Sequence, residues 1–321
     1  MINNKDTSVK YLYDTIVLSG GGLKGLYTLG SILYLEEKEL INIKKYIGTS
    51  VGSIICLLLS IGYKAKFLME YLSKIKLKNI LSKIDVLNLF KENFGCTNST
   101  KFIDIIKLLM SKKKINEDIT FIELYKKTNK EIIIIGSSLS PITACYFNYE
   151  NSPEIKVIDA IRISINIPFI FPYIEMNCEI RNNKILTNTN NKMKFVDGSL
   201  TNNYGIEMVN KKDNAIGIIV LNEDKSIEKC NFYDYFMYIC EFYINKDSKN
   251  KSMSSYLSKK ENIKNIVIID NKLNNNNLLN ILLNHEENMN MKEFYEIGYN
   301  IIKSNLEHEI DKVNNLKKTI T

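Results

Sequence analysis

Lys45-Tyr46-Ile47-Gly48-Thr49-Ser50-Val51-Gly52-Ser53-Ile54 decides how the rest of the chain is read. Gly48, Ser50 and Gly52 form a G-x-S-x-G motif, reached from a segment ending at Ile47 and left by the apolar run Ile54 to Leu59. A strand before such a motif and a helix after it make a sharp turn that lifts the serine oxygen above the end of a sheet. Glycines flank the serine because a Cβ would clash in so tight a turn, or because the backbone must adopt φ > 0. Three letters recur by chance, so the weight of the motif rests on what surrounds it.

Upstream, Tyr13 to Leu18 reads as a first strand and runs directly into Ser19-Gly20-Gly21-Gly22-Leu23-Lys24-Gly25. A helix is expected over Leu26 to Glu39. Consecutive glycines at a strand-to-helix passage expose backbone N–H groups, and at a helix N-terminus such donors hold negative charge. A dinucleotide fingerprint would require an acidic residue about 20 positions on, where the chain has its G-x-S-x-G instead. A P-loop would place Ser or Thr after Lys24, and Gly25 stands there. The loop therefore reads as an oxyanion-binding loop.

Composition sets the outer bounds. The chain has 321 residues, 45% of them apolar and 25% charged, as expected of a globular protein with a sizeable core. A net charge of +7 favours anionic surfaces, but there is no zinc-finger spacing and no basic-aromatic module, so nucleic acid is not an expected partner. The six cysteines form no C-x-x-C pair and read as reduced thiols of a cytoplasmic protein. Residues 1–6 lead into no signal-peptide core. The strongest apolar run, Ile54 to Ile61, is far short of the ~20 residues that cross a bilayer, so membrane contact is expected to be peripheral.

Between the motifs, Lys64 to Phe90 carries apolar residues at spacings of three and four, interleaved with Lys74, Lys78 and Lys83. One or two amphipathic helices follow from that period. Asn98-Ser99-Thr100 begins a further helix over Lys101 to Lys112, and Thr120 with Glu123 makes a capping box. The stripe fits a lid over an apolar pocket and fits helix packing in a core. With Lys112-Lys113-Lys114, the Lys64 to Lys114 region is also the expected contact with anionic bilayers. Glu131 to Ile135 is a central strand and Ala144 to Asn148 a second one beyond Ser140-Pro141. Ala160 to Ile165 reads as a helix, and the Asn-rich Cys178 to Lys194 as a hairpin or loose loop. Ala215 to Leu221 and Ile263 to Asp270 are further strands. Phe232 to Phe242 and Ile301 to Ile310 carry helical spacing, and Asn274 to Asn277 a turn.

Ser50 needs a partner, since a hydroxyl is a poor nucleophile until a base takes its proton. The chain has two histidines, His285 and His308, both in polar C-terminal stretches that read as solvated helix surface. The order Ser, Asp, His would suit a triad with His285, but the local pattern is not that of a loop after a strand. Asp197 ends the apolar segment Lys194-Phe195-Val196 and precedes Gly198, which allows the chain to turn and leave the carboxylate in a cleft. Asp-Gly is also an ordinary turn pair. No His, Cys or Asp cluster has metal-ligand spacing, and no cofactor is expected.

Gly20-Gly21-Gly22-Leu23-Lys24-Gly25, then Gly48-Thr49-Ser50-Val51-Gly52, then Asp197-Gly198 resemble, in that order, the patatin-like phospholipases. The segments Ser99 to Phe102 and Ala160 to Pro172 add to the resemblance, which covers about residues 14 to 205. It implies a three-layer α/β/α fold with a central, mostly parallel sheet and an inserted helical region. It implies Ser50 as nucleophile, Asp197 as base, and the backbone of Gly21, Gly22 and Leu23 as oxyanion hole, with Gly20, Lys24, Gly25, Gly48, Gly52 and Gly198 in support. Ser199 stands where Gly or Ala is commoner in that family, and Asn202-Asn203-Tyr204 replaces its Asn–Pro ending. The chain is then one domain over 1–321, with a core at about 12–222, a helical insertion at about 62–128 and an elaborated C-terminal part at about 223–321. The expected activity is hydrolysis of phospholipid or lysophospholipid acyl esters through an acyl-enzyme. A neutral-lipid or small-ester hydrolase, and an inactive lipid-binding protein, are the alternatives.

Overall fold

Isoleucine, valine and leucine runs too apolar to alternate need cover on both faces, and they build the middle of the sheet. A computed structural model describes residues 11–75, 85–90, 94–222, 262–270 and 290–320. In chain order its main elements are β1 (Tyr13–Leu18), α1 (Gly25–Glu37), β2 (Ile41–Thr49), α2 (Val51–Ser60), α3 (Ala65–Ser73), α4 (Thr100–Lys112) and α5 (Phe121–Thr128). Then come β3 (Glu131–Leu139), β4 (Ile142–Phe147), α6 (Val157–Ser164), β5 (Ile174–Arg181), β6 (Lys184–Asp197), β7 (Ala215–Asn222), β8 (Ile263–Asp270) and α7 (Met291–Ile320). Among the described residues eight strands form one open sheet in the order β5-β6-β3-β2-β1-β7-β8, with β4 also on β3. The run β8-β7-β1-β2-β3 is parallel, and β4, β5 and β6 pair antiparallel. The mostly parallel α/β sheet with flanking helices is the fold the sequence implied.

Register decides where the loops meet. Leu18 is opposite Gly48, so the glycine loop after β1 and the Ser50 turn after β2 leave neighbouring strands at the same end of the sheet. Ile135 of β3 pairs with Thr49 of β2, and the next residue, Gly136, pairs with Asp197 of β6. At Ile134 and Ile135 β3 also pairs with β4, as it does at Gly136 to Ser138, so β2 and β6 share the opposite edge of β3. Their ends abut, one ending at Thr49 and the other at Asp197.

The sheet's two faces are covered differently. Ile16, Leu18, Tyr46, Ile132, Ile134, Ile216 and Ile218 belong to the large core with the helices. Val17, Ile47, Ile133, Ile135 and Ile219 turn to the other face, where Tyr204, Ile206 and Val209 cover them among the described residues. In α4 the stripe Ile103, Ile106, Leu109 and Met110 is buried in the main core, as are Ala65 and Leu68 of α3. For these helices the packing alternative holds. No helix among the described residues is long and apolar enough to cross a membrane.

Of the two readings of the Asn-rich stretch, the hairpin holds, while the closing helix differs in extent. The segment Cys178 to Lys194 belongs to a long hairpin whose turn residues Asn182 and Asn183 have φ of 49° and 63°. Two left-handed residues at a two-residue turn match the twist of paired strands, which is why Asn-Asn ends a hairpin here. The capping box of Thr120 and Glu123 is present. The closing helix is much longer than Ile301 to Ile310, because its buried face, Phe294, Tyr295, Ile302 and Leu306, is diluted by Asn, Lys and Glu. Lys78, Lys83, Phe232 to Phe242, Asn274 to Asn277 and His285 lie outside the described residues, and of His308 only the backbone is described.

That closing helix packs on α1 at very short range. A Cβ on Gly30 would sit 1.9 Å from the Tyr295 carbonyl oxygen, and one on Gly298 would sit 1.9 Å from that of Tyr27. Ser31 Oγ donates to the Gly298 carbonyl at 2.9 Å, and Tyr27 meets Phe294 edge-on at 5.5 Å between ring centroids. Since α1 follows the glycine loop, this contact fixes the loop's far support. Gly30→Ala and Gly298→Ala are each expected to lower the unfolding free energy by about 1–3 kcal/mol through overpacking. Urea denaturation measures this, and an unchanged midpoint would mean the helices separate at no cost.

Candidate active site

Ser50 leaves β2 with φ 51° and ψ −125°, a left-handed backbone that a residue with a Cβ rarely adopts. Such strain costs on the order of 1–3 kcal/mol and persists only where neighbours over-determine it. They do so here. The Ser50 N–H donates to Ser164 Oγ at 2.9 Å, and that hydroxyl donates to the Ile135 carbonyl at 2.6 Å. Ser53 returns to the Ser50 carbonyl through its Oγ at 2.6 Å. A Cβ on Gly48 would lie 2.6 Å from the Gly52 backbone, and one on Gly52 would lie 2.6 Å from the Leu18 carbonyl oxygen. Both motif glycines are therefore required by close approach, with α2 pressed onto the end of β1.

Asp197 arrives from the opposite direction. Its N–H donates to the Asn166 carbonyl at 2.9 Å, its carbonyl accepts from Ser137 Oγ at 2.7 Å, and Gly198 fits only because a Cβ there would lie 2.1 Å from the Ile135 oxygen. Ser50 Oγ donates to Asp197 Oδ2 at 2.7 Å, and the Ser199 N–H donates to Oδ1 at 2.8 Å. Ser50 is 6% exposed and Asp197 3%. Burial pushes the Asp197 carboxyl up to about 6, against the pull of its hydrogen bonds from Ser199 and Ser50. At neutral pH it is mostly ionised yet far more basic than a solvated carboxylate.

The glycine loop arches over the same point. A Cβ on Gly20 would come within 3.1 Å of Ser50 Cβ, and one on Gly25 within 2.7 Å of Val51. The loop is thus fastened against the Ser50 turn at both ends. The Gly20 N–H is taken by the Asn203 carbonyl, and that of Lys24 by Gly21. Among the described residues the N–H groups of Gly21, Gly22 and Leu23 have no acceptor. A Cβ at Gly22 would meet nothing within 4 Å, so its φ of +55°, not crowding, is what asks for glycine there. The structure thus brings together Ser50, Asp197 and the glycine loop. Ser199 and the segment Ala160 to Pro172, which holds Ser164 and Asn166, were part of the resemblance, but Ser137 and the individual hydrogen bonds of all four escaped the sequence reading, since a single serine or asparagine contact carries no pattern.

A loop of free donors, a strained serine and a buried carboxylate within hydrogen-bond reach invite comparison with known proteins. The family model of the patatin-like phospholipases matches residues 16–209, more than half of the chain. The chain belongs to the patatin-like phospholipase family. A relative named "Probable lipid hydrolase 463L", from Invertebrate iridescent virus 6, is 32% identical over 206 residues, covering 63% of this chain and 65% of its own length. The match thus spans just under two thirds of that relative. Triacylglycerol lipase 4 of Saccharomyces cerevisiae is 28% identical over 224 residues, 64% of this chain and 23% of the yeast protein. Among solved structures, VipD from Legionella pneumophila superposes with a TM-score of 0.51 at 14% identity, covering 96% of this chain and 72% of VipD, a likeness of fold. The glycine loop, Ser50 and Asp197 of this patatin-like chain all lie inside the matched span.

The raised carboxyl has a consequence for stability. Between about pH 4 and pH 6 the folded protein holds a proton on Asp197 that the unfolded chain has lost, so stability falls as pH rises through that window and stays lower above it. Asp197→Asn removes the penalty. Relative to wild type it is expected to gain roughly 2–3 kcal/mol at pH 8 and little at pH 4, read from urea midpoints at the two pH values. An equal effect at both would mean that burial of the charge is not what Asp197 contributes.

Proposed function

We propose that this protein is a serine acyl-ester hydrolase of phospholipids and lysophospholipids, working through Ser50 and Asp197 without a histidine. The observation that carries the reading is the 2.7 Å bond from Ser50 Oγ to a buried carboxylate. Ser50 Oγ attacks the ester carbonyl carbon as its proton passes to Asp197. The carbonyl oxygen becomes an oxyanion, held by the N–H groups of Gly21, Gly22 and Leu23 beside the start of α1. Collapse breaks the carbon–oxygen bond to the glycerol side, and the departing alkoxide takes the proton from Asp197. Water then gives its proton to Asp197 and attacks the acyl-Ser50 ester. The fatty acid leaves as the proton returns to Ser50 Oγ. A carboxylate raised to about 6 is basic enough for this work and still ionised at pH 7.

Phospholipid is the preferred substrate because the whole motif order is that of the phospholipase family. Neutral lipid is the second reading, favoured by the relative named as a triacylglycerol lipase. An inactive lipid-binding protein would have no use for Ser50, Asp197 and the open donors together. The substrate is insoluble as a monomer, so the protein works at the surface of a lipid aggregate, from the cytoplasm and by peripheral contact.

A panel of diacylphospholipid, lysophospholipid and triacylglycerol, read by mass spectrometry of released fatty acid, tests the assignment. Wild type is expected to act most on the phospholipid classes, and Ser50→Ala to lose at least about a thousandfold. Release from triacylglycerol alone would move the reading to neutral lipid. The double variant His285→Gln/His308→Gln is expected to keep most of kcat. A loss of a hundredfold or more in folded protein would mean that a histidine is the base.

A further inference from the structure

The lysines of α4 are poorly placed to bring a membrane to Ser50. The helix α2 begins next to Ser50 and, at 1.5 Å per residue, carries its far end about 15 Å away. There Lys113 Nζ donates to the Gly62 carbonyl at 2.8 Å and lies 4.5 Å from the centre of the Tyr63 ring, while Lys112 lies over Tyr71 at 5.7 Å. These charges are engaged at the end remote from the chemistry.

A different surface adjoins the site. Leu87 is 72% exposed, Phe90 85%, Phe94 53% and Phe169 46%. The segments that carry them are joined by backbone bonds: Asp85 N–H, just before Leu87 and Phe90, donates to the Cys96 carbonyl at 2.9 Å, and beyond Phe94 the Cys96 N–H donates to the Phe169 carbonyl at 2.9 Å and the Thr97 N–H to that of Ile170 at 3.0 Å. Gly95 is pressed so close to Pro172 that a Cβ would lie 2.2 Å from its nitrogen. Phe169 has φ of +65°, a costly conformation for a bulky residue that turns its ring outward. It stands three residues, at most about 10 Å of chain, from Asn166, whose carbonyl holds the Asp197 N–H. Large apolar side chains exposed on adjoining segments mark a contact surface.

The chemistry of its border selects the partner. Phe94 lies 6.4 Å from Tyr173 between ring centroids, and the exposed Lys194 places its ammonium 4.5 Å from the Tyr173 ring centre. Apolar rings backed by a tyrosine and a lysine match the depth profile of a bilayer interface, with acyl chains innermost and phosphates outside. We propose that Leu87, Phe90, Phe94 and Phe169, bordered by Tyr173 and Lys194, insert into the surface of an anionic phospholipid bilayer and so present its acyl esters to Ser50. This rests on the lipid-hydrolase reading above and names the surface by which it acts.

The test compares Leu87→Ser/Phe90→Ser, Phe94→Ser and Lys194→Glu with wild type. Co-sedimentation uses phosphatidylglycerol–phosphatidylcholine vesicles and pure phosphatidylcholine vesicles at about 0.15 M salt. The apolar variants are expected to bind both vesicles about tenfold or more weakly per ring removed, and to hydrolyse vesicle lipid correspondingly slowly. Their kcat/KM on a soluble short-chain ester should stay within about twofold of wild type, which also shows that they are folded. Lys194→Glu should lose the preference for the anionic vesicles. Ser50→Ala should bind as wild type and hydrolyse neither substrate, so failure of the catalytic reading is seen separately. Undiminished vesicle binding by the apolar variants would overturn the proposal. So would a dimer in analytical ultracentrifugation that these substitutions abolish while vesicle binding persists, since the patch would then serve a second copy of the chain.

Discussion

Everything at this site depends on two strands that stop against each other along one edge of β3. Thr49 pairs with Ile135 and Asp197 with Gly136, so the last residue of one partner and the last of the other occupy consecutive positions of the same ladder. A parallel strand arriving from one side and an antiparallel strand from the other can meet there only if both end. Ser50 and Asp197 stand at those ends. A pair 147 residues apart in sequence is brought to 2.7 Å by sheet register, with no long side chain reaching across. The two side chains are short, so little conformational entropy is lost in holding them.

This arrangement destabilises the fold locally. Ser50 has a strained backbone, and Asp197 is a charge without an ionic partner among its hydrogen bonds, held by the hydroxyls of Ser50 and Ser199 and by the Ser199 N–H. Both costs fall where the chemistry wants them. The strained turn sets the serine oxygen against the carboxylate, and desolvation raises the basicity of that carboxylate. The surrounding structure supplies the compensation: a sheet buried on both faces, Ser164 bridging the Ser50 N–H to Ile135, and the tight crossing of α1 with α7 behind the glycine loop. The C-terminal helix lies outside the family-matched span yet supports the helix that begins at the glycine loop.

The glycine loop, the G-x-S-x-G turn and Asp197-Gly198 were legible because each is a short pattern whose backbone geometry demands particular residues. The parallel strands were legible because burial on both faces leaves unbroken apolar runs. What joins the pieces was not. β6 passes through Lys184 to Lys194, a stretch of Asn, Thr and Lys that has the composition of a loop, and only its pairing with β5 and β3 makes it a strand. Ser137, Ser164 and Ser199 act through single hydrogen bonds that no periodicity encodes. The same holds for the apolar stripe of α4, which reads alike for a lid and a core until its neighbours are known.

In the proposed mechanism Asp197 alone sets the reactivity of Ser50. The pH dependence of the rate at which a fluorophosphonate modifies Ser50 tests it most directly, because it isolates the first nucleophilic step from lipid binding. A single ionisation near pH 6 is expected, abolished in Asp197→Asn together with a fall in rate of at least about a hundredfold. The profile should persist unchanged in His285→Gln/His308→Gln. A profile that survives Asp197→Asn, or that disappears with the histidines, would contradict it.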